Sequence, residues 1–205
     1  MFQSDRAENL TIPKDLIGLY DAWYAAKGDS PIAQRHKIDP RLLGQSLEKS
    51  FILQMHSEAE FRFRLSGQGV NAYLGMELRG MPFVSLFEPA HRQQVTEALV
   101  QTVTGPNITL LDMKLNGTNN SAALILMPLI GPDGYVDRVF GGINAAETPV
   151  PPTRFVLEKI TASPVTSAVG ATEAPKPNSP NQPKFRVISG GRMGGAAKGR
   201  LRLIK

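Results

Sequence analysis

Three histidines, His36, His56 and His91, are the side chains of this sequence best suited to proton transfer or metal binding near neutral pH. Their spacing argues for neither. No two stand at the short intervals that bring imidazoles onto one metal, and none belongs to a Ser–His–Asp set or to paired carboxylates with a supporting motif. The chain has no cysteine. That excludes disulfides, thiolate nucleophiles, Cys-ligated zinc or iron–sulfur centres and a thiol-linked chromophore. The glycine runs, GGRMGG among them, match neither GxxxxGK[ST] nor a GxGxxG turn after a strand, so no phosphate cradle is expected. Neither an enzyme nor a metal site is expected.

The remaining charged candidates are local. Arg35 and Asp39 are four apart, and Asp39-Pro40 reads as an N-cap followed by proline at the first helical position. A cap with a local ion pair, worth ~1 kcal/mol, outweighs a loop sealing a pocket mouth. Arg62 and Arg64 alternate with apolar residues, as on a solvated strand face or at an anionic partner.

The net charge of +5 is unevenly spread. Residues 184–205 hold seven basic side chains and no acid follows Glu173, so residues 1–183 carry a net −2. Such a tail suits an anionic or acidic partner. Its FRVI and LRLIK clusters, with Phe185, Arg186, Arg200 and Arg202, suit addition to a sheet edge or docking on a protein. Nucleic acid is an alternative partner for the tail alone, with Phe185 as its only stacking ring.

The elements that must position these residues read as follows. Residues 1–12 are expected to be disordered. Leu16, Tyr20, Trp23 and Lys27 recur at helical spacing from Pro13 to Lys27, and Gly28 stops the helix. A short helix is expected over Pro40–Leu47. Phe51–Ser57 and Glu60–Ser66 form a hairpin, with Phe61, Phe63 and Leu65 on one face of the second strand. Short helical turns fill the glycine-rich stretch to Phe87, and a helix from Glu88-Pro89 to Thr104 buries Val95, Ala98, Leu99 and Val103. Strands follow at Ile108–Asn116, Ser121–Ile130 and Tyr135–Ile143. The pattern is α+β: a five-stranded antiparallel sheet with helices on one face.

The strand Ser121–Ile130 is apolar on both sides. Ala123, Ile125, Met127 and Leu129 face one way, Ala122, Leu124 and Leu126 the other. A sheet with one wet face would alternate. Both faces are therefore expected to be covered, one by the later helices and the other by the aromatic N-terminal helix, a face that a second subunit could share. After Ala145 prolines crowd in. Thr153–Ile160 reads as a short strand or helix within a linker, 147–183, and the basic tail follows at 184–205. No stretch approaches the roughly 20 apolar residues of a membrane span, and no signal peptide begins the sequence, so the cytoplasm is expected.

Four pieces then match a known pattern: Arg35 with Ile38-Asp39-Pro40, FRFRLSG (61–67), LGMELRGMPFVSLF (74–87) and MPLIGPDGYVDRVFGGI (127–143). In order and spacing they resemble the PAS_5-type PAS domain family common in alphaproteobacteria, over about residues 13–146. The sequence departs from the family's usual pattern at Gln68, where Thr is usual, and at Pro31, which stands four rather than two residues before Arg35. The resemblance implies a non-catalytic sensory or regulatory module with a pocket between sheet and helices for a small apolar ligand. Phe61, Phe63, Leu65, Met113, Ile125 and Met127 are expected to line it. It also implies a homodimer through the N-terminal helix and outer sheet face, with Leu16, Tyr20, Trp23, Leu124 and Leu126 at the interface, and an unnamed protein partner. His91 is the only haem candidate; its place in the first helical turn favours a solvated residue, and neither haem nor flavin is expected.

Overall fold

The computed structural model describes residues 10–146 and 150–165. The expected frayed N-terminus (largely), most of the expected linker and the basic tail with Phe185, Arg186, Arg200 and Arg202 lie outside the described residues.

The first helix, α1, spans Lys14–Lys27, with Asp15 in its first turn and Lys27 in its last, each of the sign that complements the helix dipole. Gly28 ends it at φ +54°, a conformation other residues adopt only at a cost. A two-residue strand, β1 (Ala33–Gln34), follows. The helix expected over Pro40–Leu47 is instead two 3-10 turns, Pro40–Leu42 and Gly44–Lys49. Asp39 caps the first by accepting from the Arg41 amide at 2.9 Å. Gly44, at φ +51°, divides them and prevents one continuous helix.

The hairpin is β2 (Ser50–Ser57) and β3 (Glu60–Ser66). One helical turn, α2 (Gln68–Asn71), and a 3-10 turn at Phe83–Leu86 lead to α3 (Arg92–Thr104), which a 3-10 turn at Pro89–His91 precedes. Strands β4 (Asn107–Leu115), β5 (Ser121–Ile130) and β6 (Val136–Ala145) follow, and then β7 (Phe155–Pro164).

The expected five-stranded sheet is thus one of seven strands, ordered β3-β2-β6-β5-β4-β7, with β1 parallel to the end of β5. The five expected strands keep their antiparallel pairing. The addition at the edge is β7, ten residues in place of the short strand or helix expected over Thr153–Ile160 within the linker. Its apolar Phe155, Leu157 and Ile160 stand opposite Leu115, Met113 and Leu111 of β4, a match across strands that the proline count concealed.

Two cores lie on the two sides of the sheet. The inner one packs β2 to β7 against α2, the Phe83–Leu86 turn and α3. The outer one packs β4, β5 and β6 against α1 and residues around Ile38 and Leu43. The two-sided apolar pattern of β5 has this cause: Leu124 and Leu126 serve one core, Ile125, Met127 and Leu129 the other.

Candidate functional site

The space between sheet and helices is occupied by a continuous run of six aromatic rings. Phe51 of β2 meets Phe63 of β3 at 5.8 Å and Phe83 at 5.3 Å between centroids. Phe83 meets Phe63 at 5.5 Å and Phe87 at 5.7 Å. Phe87 meets Phe155 at 6.0 Å, and Phe155 meets Tyr73 edge-on at 4.8 Å. All six are buried. Tilted and edge-to-face pairs of this kind each add about 0.5–1.5 kcal/mol beyond the area they bury.

Local sequence places each ring. Phe51 and Phe63 alternate inward on the paired strands. Pro82 starts the 3-10 turn that presents Phe83, and Phe87 follows its end. Asn71 steadies the loop beyond Tyr73: its side-chain oxygen accepts from the Ser66 hydroxyl at 2.6 Å and the Leu78 amide at 3.3 Å. Gly141, opposite Phe51 on β6, leaves room for that ring; a Cβ there would stand 2.5 Å from Phe51 Cζ.

Three of the six expected pocket residues, Phe61, Phe63 and Met113, lie in this inner core. Leu65 does not. Leu53 pairs with Phe63 but Ile52 with Leu65, so Arg64 is an extra residue in β3. The bulge reverses the alternation and turns Leu65 to the outer side, 47% exposed. Ile125 and Met127 also move, to the outer core, and the expected interface residues Leu124 and Leu126 take the inner one. Register is the reason: Met113 pairs with Ala122 and Leu111 with Leu124. Facing residues share a side, so the odd positions of β4 align with the even positions of β5. An apolar pattern on both faces of β5 carries no information about which is which.

The remaining expected interface residues, Leu16, Tyr20 and Trp23, are buried against the chain's own sheet and offer no surface to a partner as they stand. The Trp23 indole N–H donates to the Pro128 carbonyl at 2.8 Å. Proline is tolerated here because β4 has stopped pairing at Leu126 and β1 begins only at Leu129. Asn144 bridges Asp15 and Lys49 through side-chain bonds of 2.8 and 2.7 Å, tying the start of α1 to β6.

Among the ionisable groups, burial pushes the Tyr73 hydroxyl up to about 12. Burial also raises Asp137 above the ordinary carboxylate value, and the neighbouring Arg138 guanidinium opposes that shift. These two carry the side-chain atoms Oδ1 and Nε that are buried without a hydrogen bond, 3.5 Å apart. Arg62 pairs with Glu60 at 2.5 Å and donates to the Gly80 carbonyl at 3.1 Å, while Arg64 is exposed. Arg35 is half-buried and makes no ion pair with Asp39. His36 and His56 are exposed and His91 is half-buried at the end of its 3-10 turn. No group of three His, Cys, Asp or Glu comes together among the described residues. No helix among them is long and apolar enough to cross a membrane. An open depression of about 370 Å³ at the β4–β5 turn is lined by Lys114, Leu115, Asn116 and Val156 among others, and by none of the six rings.

Sequence reasoning missed Phe51, Tyr73, Phe83, Phe87 and Phe155 as parts of this space. Phe83 and Phe87 stand four apart in MPFVSLF, an available signal. Phe155 lay in a proline-rich context that concealed it. Chemically the space presents rings and aliphatic groups, with the Tyr73 hydroxyl as the polar group among the six rings. A family model described as PAS_5, PAS domain, matches residues 13–144. No curated protein and no solved structure matches the chain.

Proposed function

Since this chain belongs to the PAS domain family, we propose that it is a sensory and regulatory module without catalysis, acting by contact with protein and responding to a small apolar ligand. The observation that carries the reading is the run of six rings between sheet and helices. Such a lining, apolar except for the Tyr73 hydroxyl, favours an apolar guest. The contact surface is proposed beside α1 rather than through it. Leu42, Leu47 and Leu65 are 65%, 44% and 47% exposed. The backbone at Leu47 passes beside Gly67, two residues beyond Leu65: a Cβ at Gly67 would be 2.5 Å from the Leu47 carbonyl. Exposed apolar side chains at these positions suit an isologous contact between two copies. Light scattering behind size exclusion tests this on the full chain. A dimer that Leu47→Glu and Leu65→Glu convert to monomer supports the reading, and a monomer at all concentrations removes it.

A second reading rests on the charge of the tail. Seven basic residues without an acid favour association with nucleic acid, sequence-independent and sensitive to salt.

A further inference from the structure

The family match ends at residue 144, yet one of the six rings comes from beyond it. Phe155 is the first residue of β7 and stands next to the end of the aromatic run, between Tyr73 and Phe87. We infer that Phe155 is a displaceable plug, and that a small aromatic molecule enters the inner core by taking its place and releasing β7. This rests on the reading above that the inner core takes an apolar ligand.

The segment before Phe155 is a strap held by a few contacts. The Thr153 amide donates to the Tyr73 carbonyl at 2.7 Å, the Asn116 amide to Arg154 at 2.8 Å and the Glu88 amide to Phe155 at 3.0 Å. Pro151 lies over Gly75, where a Cβ would stand 2.9 Å from the proline Cβ. Beyond the strap, β7 has one neighbour in the sheet order, whereas β5 has two long ones. Glu158 is an extra residue in its pairing with β4, since Asp112 pairs with Lys159 and Met113 with Leu157. Glu158, Lys159 and Ile160 are exposed. An edge strand with an interrupted ladder and little buried surface opens before strands paired on both sides. The other five long strands keep their mutual pairing without it.

The space that Phe155 would vacate has the size of a benzyl group. Tyr73 and Phe87 bound it, and Leu115 faces it across the strands. Apolar cavities of this size stay dry and accept aromatic molecules. The guest implied is a single aromatic ring with apolar substituents, and toluene, the Phe side chain itself, is the direct probe.

The test uses the full chain carrying Lys114→Cys and Val156→Cys, Cα partners on β4 and β7. The sequence is otherwise free of cysteine, so oxidation forms one disulfide that fastens the strand beside the plug; facing strand positions lie within disulfide reach. Toluene affinity is measured on the oxidised and reduced forms, on the wild type and on Phe155→Ala, with Phe155→Leu should the alanine variant fail to fold. Toluene is expected to bind the oxidised form at least tenfold more weakly than the reduced form, and the Phe155 variant at least tenfold more tightly than the wild type. In the wild type it should also speed amide hydrogen exchange across 156–163. Equal binding to the oxidised and reduced forms overturns the plug and leaves the apolar-ligand reading standing. No binding by any form, the Phe155 variants included, overturns both.

Discussion

The indole N–H of Trp23 donates to the Pro128 carbonyl at 2.8 Å, joining α1 to a central strand across 105 positions of sequence. The bond fixes the position of the helix on the outer face, and both partners are buried, so neither can turn to water instead. Trp23→Phe keeps most of the ring and removes the donor. It is expected to lower the unfolding free energy by about 1–2 kcal/mol in urea titrations followed by circular dichroism. Trp23→Ala also empties the site and is expected to cost about 3–5 kcal/mol. A neutral Trp23→Phe would show that the bond contributes nothing net.

Gly142 and Leu19 are a second joint between helix and sheet. A Cβ at Gly142 would lie 2.1 Å from Leu19 Cδ1. Gly142→Ala should therefore push α1 away and cost about 1–3 kcal/mol by overpacking. Leu19→Ala alone leaves a cavity. Combined, the two changes should cost less than the sum of their separate costs, because each relieves the other's defect. A fully additive double mutant would mean that the contact does not couple helix to sheet.

The same two-sided strand shows what the sequence revealed and what it did not. That β5 needs a cover on each side, and that the aromatic helix is one of them, follows from Leu124 to Leu129 being apolar without alternation. Which residue faces which cover depends on the β4–β5 register, and the sequence holds no polar marker to fix it. The five principal strands were legible because their apolar periods are bounded by turns such as Gly131-Pro132-Asp133-Gly134. β7 was legible only as a short strand or helix over Thr153–Ile160, because what settles Phe155 and Leu157 as strand is their distant partners Leu115 and Met113. The inner-core places of Phe61, Phe63 and Met113 were legible from inward alternation; the rings of loops and turns were not, since no period governs them.

The Arg64 bulge gives this lesson a measurable form. Strict alternation treats Phe63 and Leu65 alike, whereas the bulge buries one and exposes the other. Phe63→Ala should cost about 3–5 kcal/mol and Leu65→Ala at most about 0.5 kcal/mol in the same denaturation experiment. Comparable losses at the two positions would contradict the bulge.

The tail can be tested without any assumption about its structure. Residues 1–183 carry a net −2 and residues 184–205 a net +7. If the tail binds nucleic acid, the full chain should shift a duplex at low salt and the 1–183 fragment should not. Its affinity should fall with salt at a log–log slope of about −0.9 per neutralised phosphate. Failure of the full chain to shift DNA or RNA at low salt would dismiss this reading.

Tyr73 should make stability depend on pH in the alkaline range. Its hydroxyl is pushed up to about 12 by burial, against about 10 in an unfolded chain. Between those values the unfolded chain has lost the proton that the folded chain retains. Stability therefore falls as pH rises through that window, by on the order of 2–3 kcal/mol in total, and this contribution is flat below pH 10. The measurement is the difference between wild type and Tyr73→Phe in urea titrations at pH 8, 10 and 11, which isolates the contribution of this one hydroxyl. The variant should lack the part of the loss due to Tyr73, and parallel pH profiles would show that this hydroxyl is not held neutral by the fold. Because the ring packs edge-on against Phe155 at 4.8 Å, release of the strap should hydrate the hydroxyl. When toluene displaces the strap in the wild type, the titration of this hydroxyl, followed by ultraviolet absorbance, should move down towards 10.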